Sequence, residues 1–437
     1  MVIASNLRGQ RAVPFWPRDK IEALRDRRIR EMVRYAALAV PYYRDLFRDL
    51  RVDPRDVRTA DDLDRLPVLD RELVRAAPHL FRPASASAGT ISFLTSGSTG
   101  RPVEIWHDRR SLLLNIPFGE REREVLIQAA GAFRPSELYV GYETSTFKKV
   151  VAFYEENVLF PIRPRRTFIP LSAPFQEILE TANREKPDIL VGYGGWIDIF
   201  FRTIQARRLR LEPPKLVMYM GEALPHGARE RIEKSFGVPV LSRYNAVESF
   251  KIGYYCGARN GFHLHEDICH VRIVDDNGEP APAGSTGRVV LSNLINRATV
   301  LLNYPIGDFA ALAGKPCSCG RSFRLLSELE GRVEDVLQLA DGRSIHPRSV
   351  WQVMKEDRGI LQYQLIQHGP RKFELKLAAL DVEAFEASLR STVPHLRNLL
   401  APDPEIVVTR VETFRSAAGG KFRAVENRAA SRVPDST

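Results

Sequence analysis

The sequence predicts an α/β protein, with a large N-terminal body built on several sheets and a small mobile C-terminal α+β domain. Three observations carry this. Two short apolar runs, KPDILVGYG and KLVMYMG, end in glycine and precede helical stretches, the pattern of buried strands alternating with helices. The chain has 437 residues, which exceeds one typical domain. Its last hundred or so residues read as strand, helix, strand, a module of about 100 residues that makes a sensible domain.

Helical periodicity opens the chain. IEALRDRRIREMVRYAALAV is amphipathic, with Ile21, Leu24, Ile29, Met32 and Ala36 near one face. Pro41 ends it, and YYRDLFRDL follows as a short helix. Leu69 to Ala76 also reads as helical, with Asp70 as N-cap. The character changes near Ala84. Ile91 to Thr95 is an apolar strand, SGSTGRP a loop, and VEIWH a second strand. PHGARERIEKSF is helical, and CHVRIVDDNGEPAPAGSTGRVVLSNL gives two strands around a Gly- and Pro-rich turn. From about Val333 come KFELKLAAL (strand), VEAFEASLRSTVPHL (helix) and PEIVVTRVETF (strand), then a frayed tail. The expected division is 1–332 and 333–437.

Composition narrows the class. Hydrophobic residues make up 44% and charged residues 27%, ordinary for a soluble globular enzyme. No apolar run nears the ~20 residues of a bilayer span, and the N-terminus shows no secretion signal. The expectation is a cytoplasmic protein without a membrane partner. The net charge is +10, which raises the question of nucleic acid. Basic residues nevertheless mix with acids along the chain, so solvated helix faces explain the charge and no nucleic-acid partner is expected. Four cysteines are too few for a disulfide framework; a metal site or reduced thiols fit better.

The strongest local signal is TSGSTGRP, Thr95 to Pro102. Hydroxyls at Thr95, Ser96, Ser98 and Thr99 alternate with Gly97 and Gly100. Glycines let backbone N–H groups close on phosphate oxygens, and hydroxyls add donors. A Ser/Gly linker has similar composition, but the flanking strands are tight. GxxxxGK[ST] is absent, so this is no Walker loop.

The loop resembles the phosphate-binding motif of the adenylate-forming ligases, and further motifs follow in that superfamily's order. Gly221-Glu222-Ala223 resembles the adenine-side segment, RYNAVE (Arg243 to Glu248) the aromatic-to-glutamate motif, and NYPIGD (Asn303 to Asp308) the ribose segment. GRVEDV (Gly331 to Val336) resembles the hinge, and GGK ending at Lys421 the catalytic-lysine loop. VPYYRDLF, GFHLHED (Gly261 to Asp267) and CSCGR (Cys317 to Arg321) are similar to segments of the phenylacetate–CoA ligase branch and its capsule-biosynthesis homologues.

The resemblance implies ATP, Mg²⁺ and a carboxylic acid as reactants, an acyl-adenylate as intermediate, and CoA as acceptor. The alternative acceptor is an amine or a hydroxyl, and a non-catalytic binding protein on the same fold is the third reading. By the same resemblance Tyr244 stacks on adenine beside Asn245, Glu248 holds Mg²⁺, and Asp308 bonds the ribose hydroxyls. Lys421 meets the charge that develops at the α-phosphate, Arg332 bonds ribose or phosphate, and Glu334 is the turning residue of the hinge. Each has a plainer reading, such as a strand tyrosine, a turn aspartate or a solvated lysine. Departures from the motifs include Val247 before the glutamate and Asn303 where CoA ligases keep arginine.

By position, Tyr142, Gly192, Tyr193, Gly194 and Trp196 are candidates for an acyl pocket suited to an aryl or arylalkyl acid, although core packing explains them equally well. Cys256, His263, Cys317 and Cys319 make a Cys₃His set, the ligands of a closed structural zinc site, which some ligases of this type carry. His265 is the substitute ligand, and Cys269 packs in a strand.

Overall fold

The computed structural model describes residues 2–84, 89–95, 102–143, 145–158, 165–224, 227–282, 284–327, 329, 331–332, 335–345, 347–354, 356–357, 359–412, 414 and 423–429. The opening amphipathic run forms the helix Arg18–Ala39, which buries Ile21, Ile29, Met32 and Ala36 and leaves Leu24 half-buried. Helix Pro41–Leu50 starts on its proline, where the missing N–H has no partner to lose. Asp70 caps helix Arg71–Ala76 by accepting from the Glu72 N–H at 2.8 Å.

The two glycine-ended runs become strands Ile189–Gly192 and Leu216–Met220, at the middle of an eight-stranded sheet. Five of its strands are parallel, in the spatial order Arg165–Pro170, Ser136–Gly141, Ile189–Gly192, Leu216–Met220, Val240–Tyr244. Strands Gly253–Tyr255, Phe262–Leu264 and Leu325–Leu326 extend it antiparallel. Helices fill the crossovers, as parallel pairing requires. A second, antiparallel sheet holds Cys269–Val274, Gly287–Asn293, Tyr304–Ala310 and Gly331–Arg332. Strands Ile91–Leu94 and Glu104–His107 pair as a separate hairpin.

Helix Arg109–Ala130 is absent from the sequence reading because Pro117 and Gly119 interrupt its periodicity. Asp108 caps it from below, accepting from the Ser111 N–H at 2.7 Å. Toward the C-terminus, strands Glu405–Arg410, Lys372–Ala379, Ile360–Gly369 and Val425–Asn427 form a four-stranded sheet. Helix Val382–Leu400 covers it, and a hydrophobic cluster running from Leu337 to Val425 fills the space between. Strand Ile360–Gly369 contains the polar residues Gln362, Gln364 and Gln367 and was not anticipated. Among the described residues, no helix is long and apolar enough to cross a membrane. The mixed α/β class with several sheets and a small C-terminal α+β unit agrees with expectation.

Candidate functional site

The Ser/Gly loop hangs from a tight neck. The Thr95 N–H donates to the Val103 carbonyl at 2.9 Å, and the Val103 N–H donates back to Thr95 Oγ1 at 2.9 Å. Ser96, Gly97, Ser98, Thr99 and Gly100, beyond that neck, lie outside the described residues. The far end of the hairpin is tied to the next motif, because His107 Nε2 donates to the Val247 carbonyl at 2.7 Å. Burial pushes the His107 imidazole down to about 4, so it is the neutral donor here.

Strand Val240–Tyr244 delivers the aromatic-to-glutamate motif at its C-terminal end. Tyr244 OH donates to Asp308 Oδ2 at 2.7 Å, joining the central sheet to strand Tyr304–Ala310 of the second sheet. Two residues placed by resemblance at adenine and ribose are thus in contact. Asn245, with its amide nitrogen turned inward, donates to the carbonyls of Tyr244 (3.0 Å) and Phe250 (2.8 Å). It braces the loop through its own backbone. Glu248 is buried, and its carbonyl accepts from Asn293 Nδ2 at 2.8 Å. Arg332 sits opposite Asp308 in the strand register. Lys421 and Glu334 lie outside the described residues; Arg423 and Asp335, close to each in the chain, form an ion pair.

The acyl-pocket candidates occupy a special place in the sheet. The chain goes from Ser136–Gly141 to one edge at Arg165–Pro170, then returns to the other side at Ile189–Gly192. The strand order reverses between these neighbours, and crevices outside the carboxyl ends at such a point are where open α/β sheets take ligands. Tyr142 and Tyr193 follow those two strands directly, with ring centroids 5.1 Å apart. Gly194 begins helix Gly194–Ala206, and a Cβ there would lie 2.4 Å from the Ala223 carbonyl oxygen. Glycine therefore lets this helix start against the Gly221–Ala223 segment, which carries Glu222. Gly221 itself has φ +78°, a left-handed conformation that favours glycine. Trp196 turns away, stacking on Phe200 at 4.9 Å and lying under Gly192, where a Cβ would sit 2.7 Å from the indole. Core packing accounts for Trp196.

The four predicted metal ligands come together. One ligand atom from each of Cys256, His263, Cys317 and Cys319 lies within 4.8 Å of the others. Cys256 and Cys317 Sγ are 3.7 Å apart, and Cys319 Sγ is 3.3 Å from His263 Nε2. A tetrahedron with bonds of about 2.3 Å to sulfur has sulfur–sulfur edges of about 3.8 Å. A disulfide needs about 2.05 Å, so the pair is not one. Burial lowers the His263 imidazole to about 4, leaving it neutral. His265 is not part of this group: its Nε2 meets Glu122 Oε1 at 3.2 Å instead. That corrects its expected role as substitute ligand. The strand Phe262–Leu264 ends one residue before it, and His265 enters the turn in which the Glu266 N–H donates to the Leu264 carbonyl at 2.9 Å. Cys269 is buried at the start of its strand, as expected, and burial pushes its thiol up to about 12.

No family model matches the chain. The phenylacetate–coenzyme A ligase of Thermus thermophilus is 26% identical over 386 residues, covering 86% of this chain and 84% of the relative. That of Escherichia coli is 23% identical over 386 residues, covering 86% and 85%. A solved structure of 2-hydroxyisobutyryl-CoA ligase, in the postadenylation state, superposes with TM-score 0.73 at 17% identity over 95% of this chain and 92% of that one. Over most of its length the chain is thus similar to phenylacetate–coenzyme A ligases, and it shares the fold of 2-hydroxyisobutyryl-CoA ligase.

The charge on the opening helix has a role that its sequence did not disclose. Arg18 pairs with Glu266 at 2.5 and 2.7 Å, and Arg324 reaches the same carboxylate at 2.7 Å. Arg28 Nη1 and a bidentate Arg121 hold Asp267 at 2.6, 2.6 and 2.8 Å. Glu266 and Asp267 are fully buried. Arg18 and Arg28 are therefore partners of an interior cluster, contrary to the expectation of a wholly solvated helix face. Burial by itself would raise the Asp267 carboxyl, but Arg121 and Arg28 hold it down at about 2. The acidic pair in GFHLHED, next to two histidines and inside an apolar stretch, was the available signal. Asn303 is a second case. Its amide donates to the carbonyls of Leu63 (2.8 Å) and Leu66 (2.9 Å), so it fastens the N-terminal helices to the second sheet.

Proposed function

We propose that this protein activates an aryl or arylalkyl carboxylic acid with ATP and transfers the acyl group to coenzyme A. The acid's carboxylate oxygen attacks the α-phosphorus, the α–β phosphoanhydride bond breaks, and pyrophosphate leaves. The thiolate of CoA then attacks the acyl carbon, forming the thioester as AMP leaves with the bonding pair. Such chemistry needs positioning and charge neutralisation more than covalent help.

The observation that carries the reading is the 2.7 Å contact of Tyr244 with Asp308, in the same motif as buried Glu248 and two strands along the sheet from the strand-order reversal. The adenine ring would lie against Tyr244 and Asn245, with the Gly221–Glu222 segment on its other side. Asp308 would accept from the ribose hydroxyls, and Thr95 to Gly100 would donate to the phosphates. Glu248 would anchor Mg²⁺, whose chemistry is to neutralise phosphate oxygens. Tyr142, Tyr193, Gly192 and Gly194 would border the acyl group, with Trp196 behind them. Lys421 would bring its ammonium to the α-phosphate from a C-terminal unit, 333–437, that turns against 1–332 at Glu334, with Arg332 beside the ribose. Cys256, His263, Cys317 and Cys319 would bind a structural Zn²⁺, which leaves no open position for substrate. A cytoplasmic setting would supply the ATP and keep the thiol acceptor reduced.

The test is acid-dependent exchange of pyrophosphate into ATP across a panel of acids, followed by product analysis with CoA. Lys421→Ala should slow exchange at least ~100-fold, the scale of losing one charged transition-state contact. No exchange with any aryl or aliphatic acid would overturn the adenylation reading, and exchange without thioester would overturn the acceptor.

A further inference from the structure

Glu122 lies in the middle of helix Arg109–Ala130 and is buried at 2% exposure. Its carboxylate meets three basic side chains: Arg243 Nε at 2.6 Å, Lys251 Nζ at 2.9 Å and His265 Nε2 at 3.2 Å. Two of these partners bracket one loop. Arg243 immediately precedes Tyr244, and Lys251 immediately follows Phe250. Between them lie Tyr244, Asn245 and Glu248. No residue of the proposed ATP site belongs to the Glu122 helix.

A buried carboxylate of this kind is a poor source of stability, because taking the charges out of water offsets most of their attraction. What it supplies is geometry, since a fixed anion with cations on both flanks holds two chain segments at set distances from a rigid helix. Other supports act at the loop's tip and interior, through His107 to Val247, Asn293 to the Glu248 carbonyl and Asn245 to the loop's own carbonyls. The ends of the loop are paired to each other, with the Ile252 N–H donating to the Tyr244 carbonyl at 3.0 Å, and Glu122 ties both of them to the helix Arg109–Ala130. Phe250 turns through a positive φ of 59°, a conformation that costs a bulky residue energy and needs support from its surroundings.

We infer that Glu122 is a positioning residue for ATP: it clamps both ends of the Tyr244–Phe250 loop and thereby sets where the adenine-stacking and magnesium-holding side chains stand. This rests on the adenylation reading above.

The experiment compares wild type with Glu122→Gln, which keeps the volume and removes the charge, and Glu122→Asp, which keeps the charge. ATP binding is measured by calorimetry without acid, and KM for ATP and for acid by pyrophosphate exchange. Glu122→Gln should weaken ATP at least ~10-fold while KM for the acid stays within ~2-fold, because misplacement by an ångström is worth up to ~100-fold. Glu122→Asp should recover part of the loss. A merely structural role would lower the active fraction and kcat alike and leave both KM values in place. Should Glu122→Gln not fold, Arg243→Gln and Lys251→Gln each release one end of the loop, with ~3- to 10-fold weaker ATP expected. ATP affinity within twofold of wild type in every folded variant overturns the inference. A wild-type protein that binds no ATP overturns the adenylation reading and takes this inference with it.

Discussion

Two clusters share the segment 262–267, and they solve the problem of buried polar atoms in opposite ways. His263 faces three sulfurs; His265, Glu266 and Asp267 face arginines, Glu122 and Lys251. In the ionic cluster every anion has its cations supplied by the chain, from the helices Arg18–Ala39 and Arg109–Ala130 and from Arg324. In the sulfur cluster the four groups are all ligands and point at one another, and the chain adds only Arg321, which hydrogen-bonds Cys319. Folding alone completes the first. A bound cation would complete the second, and chelation should separate them.

The largest effect expected is on the ionic side. Asp267→Asn leaves Arg121 and Arg28 facing a neutral amide in a dry interior, and should cost ~3–5 kcal/mol in denaturant melts. A loss below ~1 kcal/mol would mean water reaches the cluster and that the contrast with the sulfur side is overstated. On the sulfur side, purified protein should carry about one zinc per chain, and Cys317→Ser should lower zinc content and cost about 3 kcal/mol. Asp267→Asn should keep its zinc; metal analysis of both variants shows whether the clusters are independent.

Acid probes the ionic cluster more gently. Asp267 titrates near 2 when folded, against ~3.9 in an unfolded chain, so its folded pKa is depressed. Its contribution, on the order of 2 kcal/mol, is then present above pH ~4 and lost as pH falls toward 2. Urea melts from pH 5 to 2 should show this loss, and Asp267→Asn should flatten that slope. The smallest effect belongs to an exposed pair. Lys234 reaches Glu230 at 2.6 Å with both side chains about 70% exposed, and Lys234→Gln should cost no more than ~0.5 kcal/mol. A larger loss there would erase the distinction between buried and solvated charge on which the comparison rests.

Reading the chain from one end recovers whatever is written locally. The hairpin neck at Thr95, the strand ends at Gly192 and Tyr244, and the cap at Asp70 each follow from residues within a few positions of one another. The Cys₃His set was also legible, although Cys256 and Cys317 are 61 residues apart, because cysteines are few and their chemistry narrow. The ionic cluster was not. Glu122 and Lys251 are 129 residues apart, and Arg18 and Glu266 are 248 apart. Arginine on an amphipathic helix looks the same whether it faces water or a buried carboxylate, so nothing in RDKIEALRDRRIREMVRYAA singles out Arg18 and Arg28.

By itself, then, the sequence determined those helices and buried strands whose periodicity is unbroken, where the backbone needs glycine, and which residue types are available for phosphate, ribose and metal. Those depend on side-chain periodicity, backbone sterics and the donor inventory of single residues, all short-range properties. Only the tertiary structure decided that Tyr244 bonds Asp308 across two sheets, that Trp196 stacks on Phe200, that His265 meets Glu122 and not the sulfurs, and that the Tyr244–Phe250 loop is tied to a helix remote in sequence. Each of those is a choice among many possible partners for a polar or aromatic group. It is settled by which surfaces the packing of the whole chain brings together and dries, and that has no signature in any one segment.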